Sequence, residues 1–258
     1  MPEEGIMNTK SDTLNTKKNL ELGRALFHFI FYPVAVALII YASASKWEMA
    51  VVLAIANVGI YAFEKFRRAG HAAYHDKKKR YSRFARCYEW FKHATHGIIR
   101  PHEITGTSAM VPYVLGLDLV FCWVMVSSLL PAPFHFALLD ALFIMTVVAS
   151  GDPFARIFAI MRKNAGKQNH SLPWNPGKSW EGFIAFCVMA GFWMVITDLS
   201  AMGKGMLVLT PILISAQVLA IIAGAVTESV AGEKDNFWIS LFSLLAYQTT
   251  LIVGWAFG

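Results

Sequence analysis

Charge is scarce in this chain: Asp, Glu, Lys and Arg make up 16% of its 258 residues, against roughly 25% in ordinary soluble domains. Such a composition excludes an intrinsically disordered polypeptide. Cysteine is equally sparse. Cys87, Cys122 and Cys187 are odd in number and show no CxxC spacing, which excludes a disulfide framework and a cysteine-based zinc site. They read instead as small buried or interfacial side chains. A P-loop is missing as well, because Gly177-Lys178-Ser179 is preceded at position 172 by Leu172 rather than glycine, and no strand is expected before it. No internal repeat is visible, and no small-residue cleavage site follows the first apolar run, so that run is expected to be retained as a span.

What the chain has instead is apolar length. Hydrophobic residues account for 56% and aromatics for 14%, with a mean hydropathy of +0.47. They are gathered in runs of about 17 to 25 residues, enough to cross a hydrocarbon core. The expected fold class is therefore all-α, a polytopic integral membrane helical bundle. About seven spans are expected, at Leu26 to Ala42, Trp47 to Phe63, Ile104 to Val126, Phe134 to Ser150, Phe183 to Thr197, Met206 to Val226 and Phe237 to Phe257. Residues 1–24 form an N-terminal arm and 25–258 a single transmembrane domain.

With the N-terminus on the cytoplasmic side, the arm and the segments Glu64 to Glu103, Gly151 to Gly182 and Thr227 to Asn236 face the cytoplasm. All of the 23 Lys and Arg except Lys46 and Lys204 then lie on that side, as the positive-inside rule requires. The net charge of +6 is accounted for by loops facing anionic headgroups, and no nucleic-acid partner is implied. Glu64 to Glu103 mixes basic residues with Tyr74, Tyr81, Phe84, Tyr88, Trp90 and Phe91, a pattern suited to a helix in the interface plane or to contact with a polyphosphate. His71 with His75, and His93 with His96, have spacings that would present ligands on one helix face, although no acidic partner stands nearby.

Three clusters on the cytoplasmic side carry potential chemistry. Gly151-Asp152-Pro153 is expected where the fourth span ends. There the glycine would allow close backbone approach to a ligand, and the aspartate offers a hard oxygen for Mg2+; a plain turn is the alternative. Asn175 to Gly182 precedes the fifth span. Ser179 is a plausible N-cap, so free backbone N–H groups, the helix dipole and Lys178 would together favour an anion. Glu228, with Asp235-Asn236 beyond it, brackets the turn before the last span; grouped with Asp152 and Glu181, these carboxylates would hold one or two Mg2+ ions. Asp118 and Asp140 lie inside spans, away from these clusters, and are expected to make interhelical hydrogen bonds.

The order of these groups resembles a known family. Glu64-Lys65-Phe66-Arg67, Ile99-Arg100-Pro101-His102-Glu103-Ile104-Thr105-Gly106-Thr107, Gly151-Asp152 with Ala155, Gly177-Lys178-Ser179 with Glu181-Gly182, Glu228 and Asp235-Asn236 look like the CTP-dependent lipid kinases. That group includes dolichol kinase, phytol kinase and the yeast-type diacylglycerol kinase, and is related to the phosphatidate cytidylyltransferases. Glu21-Leu22-Gly23-Arg24 with His28 is similar to the family's opening. The chain departs from the pattern at Pro153 and in the bulkier stretch from Arg156 to Arg162.

The resemblance implies transfer of the γ-phosphoryl group of CTP to the hydroxyl of a membrane lipid alcohol with Mg2+. It implies Asp152 as metal ligand or hydroxyl-orienting base, and Glu228 and Asp235 as its acidic partners. Arg67, Arg100, Gly151, Gly177, Lys178, Ser179 and Asn236 would meet nucleotide or phosphate. Glu181 would bind metal or orient a cation, with Glu64 and Glu103 in support. The implied location is a bacterial inner membrane or the endoplasmic reticulum, with the site on the cytoplasmic face. A phosphatidate cytidylyltransferase is the nearest alternative, and a transporter or lipid-flipping protein is an alternative of another class.

Overall fold

The computed structural model describes residues 29–30, 32–76, 83–94, 108, 110–131, 134–231 and 235–257. Among these, six helices are long and apolar enough to cross a membrane: α2 (Lys46–His75), α4 (Met110–Ser127), α5 (Leu138–Asn164), α6 (Trp180–Gly203), α7 (Pro211–Val230) and α8 (Asp235–Phe257). A shorter apolar helix, α1 (Tyr32–Tyr41), precedes them at the position of the expected first span. The amphipathic helix α3 (Arg83–Ala94) follows α2. Between α5 and α6 lies a small antiparallel hairpin, β1 (Ser171–Leu172) with β2 (Asn175–Ser179). The protein is a multi-pass membrane helical bundle.

Local chemistry explains where the helices begin. Ser45 caps α2 by accepting from the Glu48 N–H, and Glu48 accepts from the Ser45 N–H in return, so two otherwise orphaned donors are satisfied. Thr210 caps α7 ahead of Pro211, whose missing N–H costs nothing at the first helical position.

Helix α5 is the axis of the bundle. It packs on α4, α6, α7 and α8, and its run Leu142, Phe143, Ile144, Val147 and Val148 is almost wholly buried. In a lipid solvent there is little hydrophobic drive between helices, so close approach depends on small residues. Gly151 on α5 and Gly224 on α7 leave the slot that Phe186 of α6 fills. Gly116 on α4 likewise meets Ser240 and the Asn236 backbone of α8.

Several expected boundaries are corrected. The fourth span does not end at Ser150: α5 runs on through Gly151, Asp152 and Pro153 to Asn164. Proline lacks an N–H, but Pro153 is buried within the bundle and the helix continues across it at the loss of one hydrogen bond. Likewise α6 continues past Thr197 to Gly203, so Asp198 sits in a helix rather than a turn.

The expectation for the in-span carboxylates holds. Asn57 on α2 donates to Asp118 on α4 at 2.9 Å, and the Tyr247 hydroxyl on α8 donates to Asp140 on α5 at 2.6 Å. Asp198 accepts from Gln217 of α7 at 2.9 Å, a third bridge of this kind. Each joins two helices where water cannot satisfy a polar group. In the basic segment, α3 lies against α2, with the Tyr88 ring over Gly70. The His71 and His75 rings meet in a tilted contact with centroids 4.4 Å apart, and the Tyr88 hydroxyl lies 3.4 Å from His71 Nδ1. His96 and the side chain of His93 lie outside the described residues.

Candidate active site

Three carboxylates from three helices converge at one end of the bundle. Asp152 comes from the middle of α5, Glu228 from the last turn of α7 and Asp235 from the first turn of α8. One oxygen of each lies within 4.8 Å of the others, and all three residues are buried. Their placement follows from the topology. The connection from α7 to α8 is short, so Glu228 and Asp235 are returned to the same level, and the continuation of α5 past Gly151 carries Asp152 between them.

Two cations offset part of this charge. Arg156, one turn after Asp152, donates from Nε to Asp152 Oδ1 at 3.0 Å and from Nη2 to Asp235 Oδ2 at 2.6 Å. Lys178 Nζ contacts Glu228 Oε1 directly. Like charges this close in a poorly hydrated site repel strongly, so both cations are needed to hold the carboxylates together. Arg156 had been assigned no role from sequence; its signal was the Asp-x-x-x-Arg spacing that puts both residues on one helix face.

Lys178 is delivered by the hairpin, which is clamped to the end of α7. Trp174 Nε1 donates to Ser229 Oγ at 3.0 Å and Asn175 Nδ2 donates to the Ser229 carbonyl at 2.8 Å. The Gly177 N–H folds back to Asn175 Oδ1 at 3.0 Å. Ser179 then caps α6, accepting from the Gly182 N–H at 3.2 Å, as its sequence context suggested. Asn236, beside Asp235, is 1% exposed, and its Oδ1 has no hydrogen-bond partner among the described residues.

These donors fit a hard divalent cation. Three carboxylate oxygens are hard donors of the kind Mg2+ takes, and among the described residues no histidine or cysteine belongs to the group.

Glu181, Gly151, Glu64 and Arg67 have partners of their own. Glu181 does not join the carboxylate group. It accepts from the His170 backbone N–H at 3.0 Å, contacts His170 Nδ1 at 2.7 Å and pairs with Arg162 Nη2 at 3.3 Å, tying the end of α5 to the start of α6. Gly151 serves packing rather than ligand approach, since a Cβ there would fall 2.4 Å from the Phe186 ring. Glu64 and Arg67 form a buried pair on α2 at 2.6 Å, with Arg67 only 1% exposed. Arg100 and Glu103 lie outside the described residues.

Because Glu181 ties α5 to the hairpin base and α6, Glu181→Gln is expected to lower the thermal midpoint by a few degrees. A thermal scan beside wild type checks this; an unchanged midpoint would mean that these contacts do not hold the hairpin.

Compared with known proteins, the chain matches no family model, no curated protein and no solved structure.

Proposed function

We propose that this protein is a membrane phosphotransferase that moves the γ-phosphoryl group of CTP to the hydroxyl of a lipid alcohol, a polyprenol, phytol or diacylglycerol. The observation that carries the reading is the buried convergence of Asp152, Glu228 and Asp235 with Arg156 and Lys178 at one end of an apolar bundle. Phosphoryl transfer requires little covalent help from a protein. It requires charge neutralisation and in-line positioning, which such a cluster can supply.

Asp152, Glu228 and Asp235, with Asn236 Oδ1, would hold Mg2+, which when bound supplies neutralisation of phosphate charge. Lys178 and Arg156 would release part of their carboxylate contact to meet phosphate oxygens. The capped N-terminus of α6 adds backbone N–H groups and a favourable dipole on the same side. As the lipid hydroxyl oxygen bonds to the γ-phosphorus, the bond to the β–γ bridging oxygen breaks and CDP leaves. The hydroxyl proton passes to a carboxylate oxygen of the cluster, with Asp152 the foremost acceptor. The lipid tail needs no soluble pocket, because the bundle already stands in hydrocarbon. The positive-inside charge pattern supports a cytoplasmic face for this chemistry.

Purified protein with Mg2+ and a panel of polyprenol, phytol, diacylglycerol and phosphatidate tests the reading, using CTP labelled at the γ or the α phosphate. The expected result is γ label in the organic phase, dependent on one of the alcohols and abolished by a chelator. Alpha label entering with phosphatidate would replace the reading with cytidylyl transfer, and transfer of neither label would remove it.

A further inference from the structure

Trp174 stands at the tip of the hairpin and is 49% exposed, in edge-to-face contact with Trp180, itself 40% exposed, at a centroid distance of 5.5 Å. Half-exposed tryptophans in a membrane protein ordinarily serve as interface anchors, with the ring towards the tails and the indole N–H towards the wet side. Trp174 does not have that arrangement. Its N–H is turned inward onto Ser229 Oγ, so the polar end of the indole is used up inside the protein while ring surface is left open. Ser229 is the residue after Glu228, which Lys178 contacts. The ring is therefore held rigid, at little further entropic cost, one residue from the proposed phosphate and metal groups. Asn175 on the same Ser229 fixes the turn beneath it, and Leu172, 2% exposed, anchors the hairpin's other strand.

We propose that the exposed face of Trp174 is the stacking surface for the nucleobase of the phosphoryl donor. The inference rests on the function proposed above. A planar base has a π-face that an indole binds whatever its hydrogen-bonding edge, so Trp174 contributes donor affinity and leaves the choice among bases to other groups. Trp180, packed edge-on against Trp174 and against Phe183 at 5.9 Å, keeps the platform from rotating away.

The test uses full-length protein in nanodiscs, with equilibrium binding of labelled CTP in Mg2+ alongside steady-state kinetics. Trp174→Ala is expected to raise the Kd for CTP about tenfold or more, with the KM for the lipid alcohol within about twofold of wild type; any fall in kcat reports the lost hairpin clamp on Lys178 rather than stacking. Trp174→Phe keeps a ring without the N–H and is expected to hold the Kd for CTP within about threefold of wild type. Should the alanine variant not fold, Trp174→Leu, apolar but without a π-face, takes its place with the same expected loss. Unchanged CTP affinity in the ring-less variant overturns the stacking role while leaving the phosphotransferase reading intact. So does a phenylalanine variant as impaired as the alanine one, or a defect confined to the lipid substrate. A wild-type protein that binds no nucleotide overturns both.

Discussion

Replacing Asp152 by asparagine is expected to reduce phosphoryl transfer by about a thousandfold or more, while leaving a folded, membrane-inserted protein. The substitution preserves volume and one oxygen, so Arg156 keeps an acceptor on α5 and the packing around residue 152 is undisturbed. What it removes is one of three anionic ligands, and with it a charge that the proposed site needs for Mg2+ and for the hydroxyl proton. The new amide N–H group can donate to a neighbouring carboxylate, so folding is not expected to suffer. Asparagine should therefore separate chemistry from structure, unlike alanine, which would leave a cavity and remove one of the two carboxylates that Arg156 bridges. Radiolabel transfer, with size-exclusion profile and thermal midpoint as controls, checks it. Near-normal turnover in a well-folded Asp152→Asn protein would remove the carboxylate cluster as the catalytic centre.

A second large effect is expected next door, on stability. At Gly151 an added methyl group would lie 2.4 to 2.6 Å from three ring atoms of Phe186, a side chain that is completely buried. Alanine is the better helix former by about 1 kcal/mol, so propensity alone would favour the change. Overpacking a filled core costs about 1–3 kcal/mol, and here the ring is wedged between Gly151 and Gly224, where even a methyl group built on Gly224 would lie 3.2 Å from it. The clash should win. Gly151→Ala is expected to lower the thermal midpoint by several degrees and to reduce activity, because moving the ring shifts Asp152 on the same turn. Shortening the ring in Gly151→Ala/Phe186→Leu should recover part of the lost stability, which a thermal scan of single and double variants would read. A single variant as stable as wild type would mean that the slot is not a constraint.

Particular residues show how far the amino-acid sequence could be read. Ser179 as N-cap, the interhelical roles of Asp118 and Asp140, and the grouping of Asp152 with Glu228 and Asp235 were all accessible. Each depends on a local property or on which end of a span a residue occupies. The contacts of Gly151, Glu181 and Arg156 are not legible there. Their roles depend on what faces them: a Phe186 ring from another helix, a His170 and Arg162 pair, and two carboxylates on different elements. The end of α5 was misplaced for a related reason. Hydropathy falls where polar residues begin, yet that helix persists for about four further turns, buried among its neighbours as far as Ala155.

Hydropathy, span length and loop charge are properties of each segment against water and lipid, and the bilayer reads them one segment at a time. By itself, then, the sequence determined that this is a multi-pass helical membrane protein and to which ends of its spans the acidic and basic groups belong. Only the tertiary structure decided which of those groups meet. Helix rotation and close approach are set by small-residue packing and by pairwise charge compensation between elements far apart in the chain, and no single segment carries that information.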